Sequence, residues 1–178
     1  MFKNNVSEAG LALNEFSNLA ESHHSSPTSP IASNFIYSSI IPAPLEKVWL
    51  LYADVNTINR ISPAFARVIF ERVDLPLGAG SEMIFIGKYP PRLRWHARIE
   101  TFVENSHFVD VQISGPFAFW RHQHLFKPHG EATEMIDRVS FSLPGGRFWN
   151  QLVAPLIAML LHFYFRYRHR QTRALLKS

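Results

Sequence analysis

Cysteine is absent from the 178 residues. This removes disulfides, thiolate metal ligands and thiol nucleophiles together, and it suits a reducing compartment, so cytoplasmic placement is the expectation. Long hydrophobic runs are scarce. The longest, Leu152 to Phe165, has 14 residues, short of the roughly 18 to 20 that a bilayer span needs. Nothing in the first 30 residues resembles the apolar core of a secretory signal; rich in Ser, Asn, His and Glu and closing on Ser-Pro-Thr-Ser-Pro, residues 1–30 are read as a disordered tail, and residues 31–178 as one domain. Acidic residues are missing from the C-terminal end: Gly146 to Ser178 carries six Lys or Arg and no Asp or Glu, on a chain of net charge +4. A basic helix end complements the helix dipole and leaves peripheral membrane contact open. A nucleic-acid role is excluded, because these cations lack a matching fold motif.

Aromatic residues are plentiful, with 15 Phe and four Trp in a chain that is 47% hydrophobic. Whatever this domain encloses is walled with aromatic surface. Phe35 to Ile41 alternates as a strand and ends at Pro42. Leu45 to Tyr52 follows as a helix opened by Pro44, burying Leu45, Val48, Trp49 and Tyr52. Val55 to Ile61 reads as a second short helix, capped by Asp54 and stopped before Pro63. Further runs lie at Phe65 to Val73, Ser81 to Tyr89 and Leu93 to Glu104, with Leu93, Trp95, Ala97, Ile99, Thr101 and Val103 sharing the dry face of the last. After Pro144-Gly145-Gly146 the remainder reads as one long helix, kinked or delayed by Pro155. Apolar residues on nearly every side of it imply enclosure by more than a flat sheet.

His107 to Leu143 organises the rest. It holds three strand-like runs separated by Gly-Pro and His-Gly turns. From Trp120 to Lys127 the even positions are Trp120, His122, His124 and Phe126, opposite Arg121, Gln123, Leu125 and Lys127. A hairpin centred on His129-Gly130 pairs His122 with Asp137 and Phe126 with Thr133. A turn at Asn105-Ser106 pairs Asp110 with Thr101, and a loop at Pro116 to Ala118 pairs Asp110 with His124 and Gln112 with His122. The side meant to be dry therefore carries Asp110, Gln112, His122, His124 and Asp137. Three readings of this cluster stay open: a hydrogen-bond network that fixes strand register, the same network orienting a ligand, and acid/base catalysis by a His122–Asp137 dyad. The histidines with a carboxylate also form a two-histidine, one-carboxylate set. No metal is assigned on that spacing, which lacks a helical H-E-x-x-H or any cysteine.

One strand, two short helices, six more strands and a long C-terminal helix is the element order of the helix-grip fold, an α+β class. The pattern Asp110-x-Gln112, Gly115-Pro116, Trp120-x-His122-x-His124-x-Phe126, then Thr133, Met135 and Asp137 resembles the SRPBCC superfamily of START-like and polyketide cyclase/dehydrase-like proteins. It is similar in particular to bacterial SRPBCC domains fused to sugar-epimerase-like proteins. The resemblance implies a seven-stranded curved antiparallel sheet with the long helix across its concave face, and a hydrophobic ligand cavity between them. It implies a lipid, isoprenoid or polyketide-like ligand, with no cofactor. The residues expected at that ligand are Trp95, Asp110, Gln112, Trp120, His122, His124, Met135 and Asp137 from the sheet, and Leu156, Leu160 and Phe163 from the helix. The superfamily contains carriers and enzymes alike, so His122 and Asp137 are catalytic only in the second case.

Overall fold

The computed structural model describes residues 32–177; residues 1–31, which include the tail expected over residues 1–30, and residue 178 lie outside the described residues. Seven strands form one antiparallel sheet: β1 (Ser33–Ile41), β2 (Val68–Val73), β3 (Glu82–Gly87), β4 (Arg94–Val103), β5 (His107–Ser114), β6 (Phe119–His129) and β7 (Ala132–Ser142). Their order is β1-β7-β6-β5-β4-β3-β2. β2 to β7 are thus a meander in chain order, and β1 pairs with the edge that β7 would otherwise expose. Between β1 and β2 lie α1 (Leu45–Ala53) and α2 (Thr57–Ile61), and after β7 comes α3 (Gly146–Leu176).

Local sequence explains most of these elements. Pro44 immediately precedes α1, whose buried Val48, Trp49 and Tyr52 share one helix face. The Trp49 ring meets Phe102, Phe108 and Phe126 edge-on, closing the core at this end of the sheet. α2 is shorter than its apolar pattern suggests. Asp54 Oδ1 accepts the Asn56 N–H at 2.9 Å, so Asp54 makes a side-chain turn before Thr57 rather than capping a helix at Val55. The segment expected to start β2 at Phe65 is instead a 3-10 turn, Ala64–Ala66.

The faces of the central strands follow the alternation, but their registers do not. β6 and β7 turn at Gly130-Glu131, with Gly130 in the left-handed region, so His124 faces Asp137 and His122 faces Val139. β5 places Asp110 opposite His122 and Ile99, not His124 and Thr101. The β5–β6 and β6–β7 pairings each differ from expectation by two residues, which leaves every side chain on its expected face. β4 behaves differently. A bulge between Ile99 and Thr101 hands the inward position to Phe102, which packs beneath Trp49, while Val103 is left exposed.

α3 opens on two left-handed glycines, Gly145 and Gly146, and Pro155 lies inside it without ending it. Asn150 holds its first turns to the sheet: Oδ1 accepts the Leu143 N–H at 2.9 Å and Nδ2 donates to Ser33 Oγ at 3.2 Å. Asn150, Ala154, Phe165, Arg168, His169 and Thr172 are its buried positions. The expected all-round enclosure is not found. Its outer side leaves Phe148 81%, Leu152 63% and Phe163 59% exposed, because one helix laid on a sheet can bury only the stripe that faces it.

Candidate ligand-binding site

Between the sheet, α2 and α3 lies a cavity of about 570 Å³, within the usual range for small-molecule sites. Trp95, Phe108 and Trp120 wall it from the sheet, Ile61 from α2, and Leu161 and Tyr164 from α3. Trp95 and Trp120 meet edge-to-face, 5.3 Å between ring centres, and Phe85 stacks on Trp95. Three further lining residues, Phe65, Leu93 and Leu160, are each at least half exposed and mark the mouth.

The polar end is built on β5, β6 and β7. Period-two alternation puts Asp110, His122 and His124 on the concave face, where all three border the cavity. Asp137 lies behind them, fully buried. A carboxylate can only accept, so the rings must donate to it. His122 Nε2 donates to Asp137 Oδ1 at 2.8 Å, and His169 Nε2 donates to Oδ2 at 2.6 Å. His124 Nδ1 is also 2.8 Å from Oδ1, close enough for an ion pair but off the line of a hydrogen bond. On the cavity side, Asp110 Oδ2 is 3.3 Å from His124 Nε2 and 3.5 Å from His122 Nδ1.

Charge follows from this arrangement. Burial alone would raise the Asp137 carboxyl, yet hydrogen bonds from His122 and His169 and the close ring of His124 hold it well below the usual range. Asp110 is likewise lowered: burial works against this, and the His124 hydrogen bond and the nearby cations outweigh it. The two rings part company. Burial, then the charge of His124, lowers His122, whereas His124 overcomes its own burial through its hydrogen bond to Asp110 and the adjacent Asp137 carboxylate and is raised. The shifts run in opposite directions, so of the two rings His124 is the one that favours a proton.

Two α3 residues complete the site. His169 joins β1 to β7 through Asp137 and through Ser39 Oγ, which is 2.7 Å from its Nδ1. Arg168 is only 6% exposed and lines the cavity. Its guanidinium lies within 5.5 to 5.8 Å of the Tyr52, Tyr164 and Phe165 ring centres, and its buried Nε has no acceptor. Reading the basic C-terminal residues only as a complement to the helix dipole misses both. The signal that could have found them is the spacing Ala154, Ile157, Leu161, Phe165, Arg168, Thr172, an inward stripe at intervals of three and four that runs on through polar residues.

The residues expected at the ligand divide. Trp95, Asp110, Trp120, His122, His124 and Leu160 border the cavity. Gln112 does not: its Nε2 donates to the Phe117 carbonyl and its Oε1 accepts the Phe117 N–H, closing the β5–β6 loop. Met135 is buried in the core under α1, beyond the cavity wall. Asp137 acts from behind the histidines. Leu156 and Phe163 point outward from α3, both more than half exposed.

Comparison with solved structures then decides the fold. A START superfamily protein from Mycobacterium smegmatis matches 81% of this chain and 97% of its own, with TM-score 0.61 and 10% identity. The chain has the START-like helix-grip fold. Protein TTHA0849 of Thermus thermophilus matches this helix-grip chain over 80% of its length and 99% of the other, with TM-score 0.61 and 20% identity. A nucleoside-diphosphate sugar epimerase from Corynebacterium glutamicum matches 80% of this chain at 29% identity and TM-score 0.63, but only 29% of the epimerase chain is covered. The likeness to SRPBCC and START-like proteins read from the strand motifs therefore holds at the level of fold. No family model and no curated protein matches the sequence.

Proposed function

We propose that the helix-grip domain binds a hydrophobic or aromatic small molecule, of lipid, isoprenoid or polyketide-like character, between its sheet and α3. The observation that carries this reading is a cavity of about 570 Å³ with aromatic walls into which Asp110, His122, His124 and Arg168 bring a buried polar face. Aromatic surface supplies affinity, while Arg168 and the Asp110/His122/His124 face orient an oxygen-bearing end. START-like neighbours support ligand binding as the general role. Native mass spectrometry of gently purified protein tests it. Retention or uptake of such a molecule is expected, lost when Ala97, buried in the cavity wall, is replaced by Phe. A folded chain that never takes up any apolar ligand refutes it. The same cavity-facing nitrogens suit proton transfer in a cyclase or dehydratase. His122→Gln separates the two: a carrier changes affinity alone, and an enzyme loses turnover while still binding.

A second reading, loading at an anionic membrane surface, rests on α3. Phe148, Leu152, Leu156, Met159 and Phe163 form an exposed stripe, continued at the same spacing by the exposed Arg166 and Arg170. An apolar face passing into cations fits the interface between headgroups and acyl chains. α3 is long and apolar enough to cross a membrane by length and composition. The 14-residue run read from the sequence understates this. Its inner stripe is committed to the sheet, which favours lying on a membrane over spanning it.

A further inference from the structure

Counting donors and acceptors at the polar end leaves a gap. Asp137 takes the Nε2 proton of His122 and faces Nδ1 of His124, so the opposite nitrogens, Nδ1 of His122 and Nε2 of His124, are the ones turned toward Asp110 Oδ2. Three atoms able to ligate a metal therefore converge at one point bordering the cavity. A proton on His124 Nε2 satisfies the contact to Asp110 and still leaves the His122 lone pair facing a carboxylate oxygen. Neighbouring histidines brought this close, 3.7 Å between ring centres, each with a ring nitrogen turned to the same Asp110 oxygen, are an arrangement that a cation in place of the His124 proton resolves.

The spacing fits a particular kind of cation. The three ligand atoms all lie within 4.8 Å of one another, and the two contacts to Asp110 Oδ2 measure 3.3 and 3.5 Å. Donors bound about 2.1 Å from one ion at a tetrahedral angle stand about 3.4 Å apart. Calcium and magnesium prefer six or more oxygen ligands, whereas two imidazoles and one carboxylate suit zinc or another first-row divalent ion. Asp137 supplies the outer layer expected of such a site. It accepts from His122 Nε2, which leaves the Nδ1 lone pair facing Asp110, it lies 2.8 Å from His124 Nδ1, and His169 and Ser39 hold it in turn. β5 and β6 are adjacent strands paired at Asp110 and His122, so the ligands sit on a rigid frame.

We propose that Asp110 Oδ2, His122 Nδ1 and His124 Nε2 bind one divalent transition-metal ion of the zinc class, with its remaining coordination position open to the cavity. A carbonyl, carboxylate or hydroxyl oxygen of a cavity ligand takes that position, and Arg168 on the same wall balances an anionic one. The site stands apart from the hydrophobic-ligand reading, since the metal alone can fill it.

Full-length protein stripped with chelator and titrated with Co²⁺ tests this, with zinc as competitor and urea unfolding as the check that each variant is folded. The expected result is about one Co²⁺ per chain with the intense visible absorption of a low-coordinate site, displaced by zinc. Asp110→Asn, a near-isosteric change at the cavity edge, weakens binding at least tenfold, and His122→Gln/His124→Gln abolishes it. Should the double variant not fold, Asp110→Asn alone carries the test. Failure of folded wild-type protein to bind Co²⁺ or zinc stoichiometrically overturns the proposal, as does binding that is unchanged in folded Asp110→Asn. Retention of apolar ligands is scored separately by native mass spectrometry, so the cavity reading can stand while the metal site falls.

Discussion

Asp137 uses both carboxylate oxygens on three imidazoles from two elements, and no water reaches it. Removing its charge leaves buried ring N–H groups without a full acceptor, and losing one partner of such a cluster typically costs about 3–5 kcal/mol. Asp137→Asn should lower the unfolding free energy by that amount in urea titrations, where a surface change such as Asp54→Asn moves it little. The pH dependence in chelator follows from the direction of each shift. An unfolded Asp takes up its proton near pH 4, and folded Asp137 resists until well below that. Its stabilisation is complete above the unfolded value and declines as pH falls through the acid range. The histidines oppose each other. His124, raised, stabilises fully below about pH 6.5 and loses this as pH rises through its folded value. His122, lowered, costs stability as pH falls below about 6.5. Urea midpoints should therefore be highest near about pH 6.5, decline as pH rises through the folded value of His124, and drop in acid. Asp137→Asn should lack most of the acid drop; an unchanged acid slope would assign it to other carboxylates. Arg168 and Tyr52, which face the cluster from α3 and α1, keep their charge states throughout this range, since both are raised.

The strands show what period two can and cannot specify. Alternation placed Trp120, His122, His124 and Phe126 on one face and Thr133, Met135, Asp137, Val139 and Phe141 beside them, and burial agrees. A shift of two residues leaves every face unchanged, so the pattern is blind to it, and only the turn chemistry at Gly130-Glu131 fixes which partners meet. The histidine–carboxylate cluster was legible as a set, though not as a list of contacts. The bulge in β4 was invisible because Thr101 and Val103 are as apolar in pattern as Phe102. The inward side of α3 was hidden for another reason: Arg168, His169 and Thr172 look like solvent-facing residues until Tyr52, Asp137 and the rings beside them are in place. Gln112 was grouped by face with the histidines but closes its own loop, and this arrangement carries a prediction. A Cβ on Gly115 would fall 2.6 Å from Gln112 Oε1, and that atom is pinned by the Phe117 N–H. Gly115→Ala should therefore cost about 1–3 kcal/mol, roughly the worth of the two bonds it displaces. In Gln112→Ala the same change should cost almost nothing. A double-mutant cycle in urea reads this coupling directly, and additive effects would show that the clamp is not what holds the loop.

Among the described residues a cavity mouth and the bare side of α3 meet at Leu160, which lines the cavity and stays half exposed. Seating the stripe from Phe148 to Phe163 in a lipid surface would therefore bring the mouth residues Phe65, Leu93 and Leu160 toward the acyl region, where an apolar ligand resides. Each fully buried Leu or Phe contributes about 1.5–3 kcal/mol, and each cation near an anionic surface about 1 kcal/mol. Burial of even part of the stripe thus outweighs the cations, which tune the preference for charge. Flotation with phosphatidylcholine vesicles containing phosphatidylserine should carry the full-length protein upward. Arg166→Gln/Arg170→Gln should weaken that binding roughly tenfold or more, as should added salt. Leu152→Glu/Leu156→Glu should abolish it without loss of cavity ligand or of thermal stability, because neither side chain is buried in the fold. If the glutamate variant floats as well as wild type, α3 does not dock the domain, and the bare stripe must serve another contact.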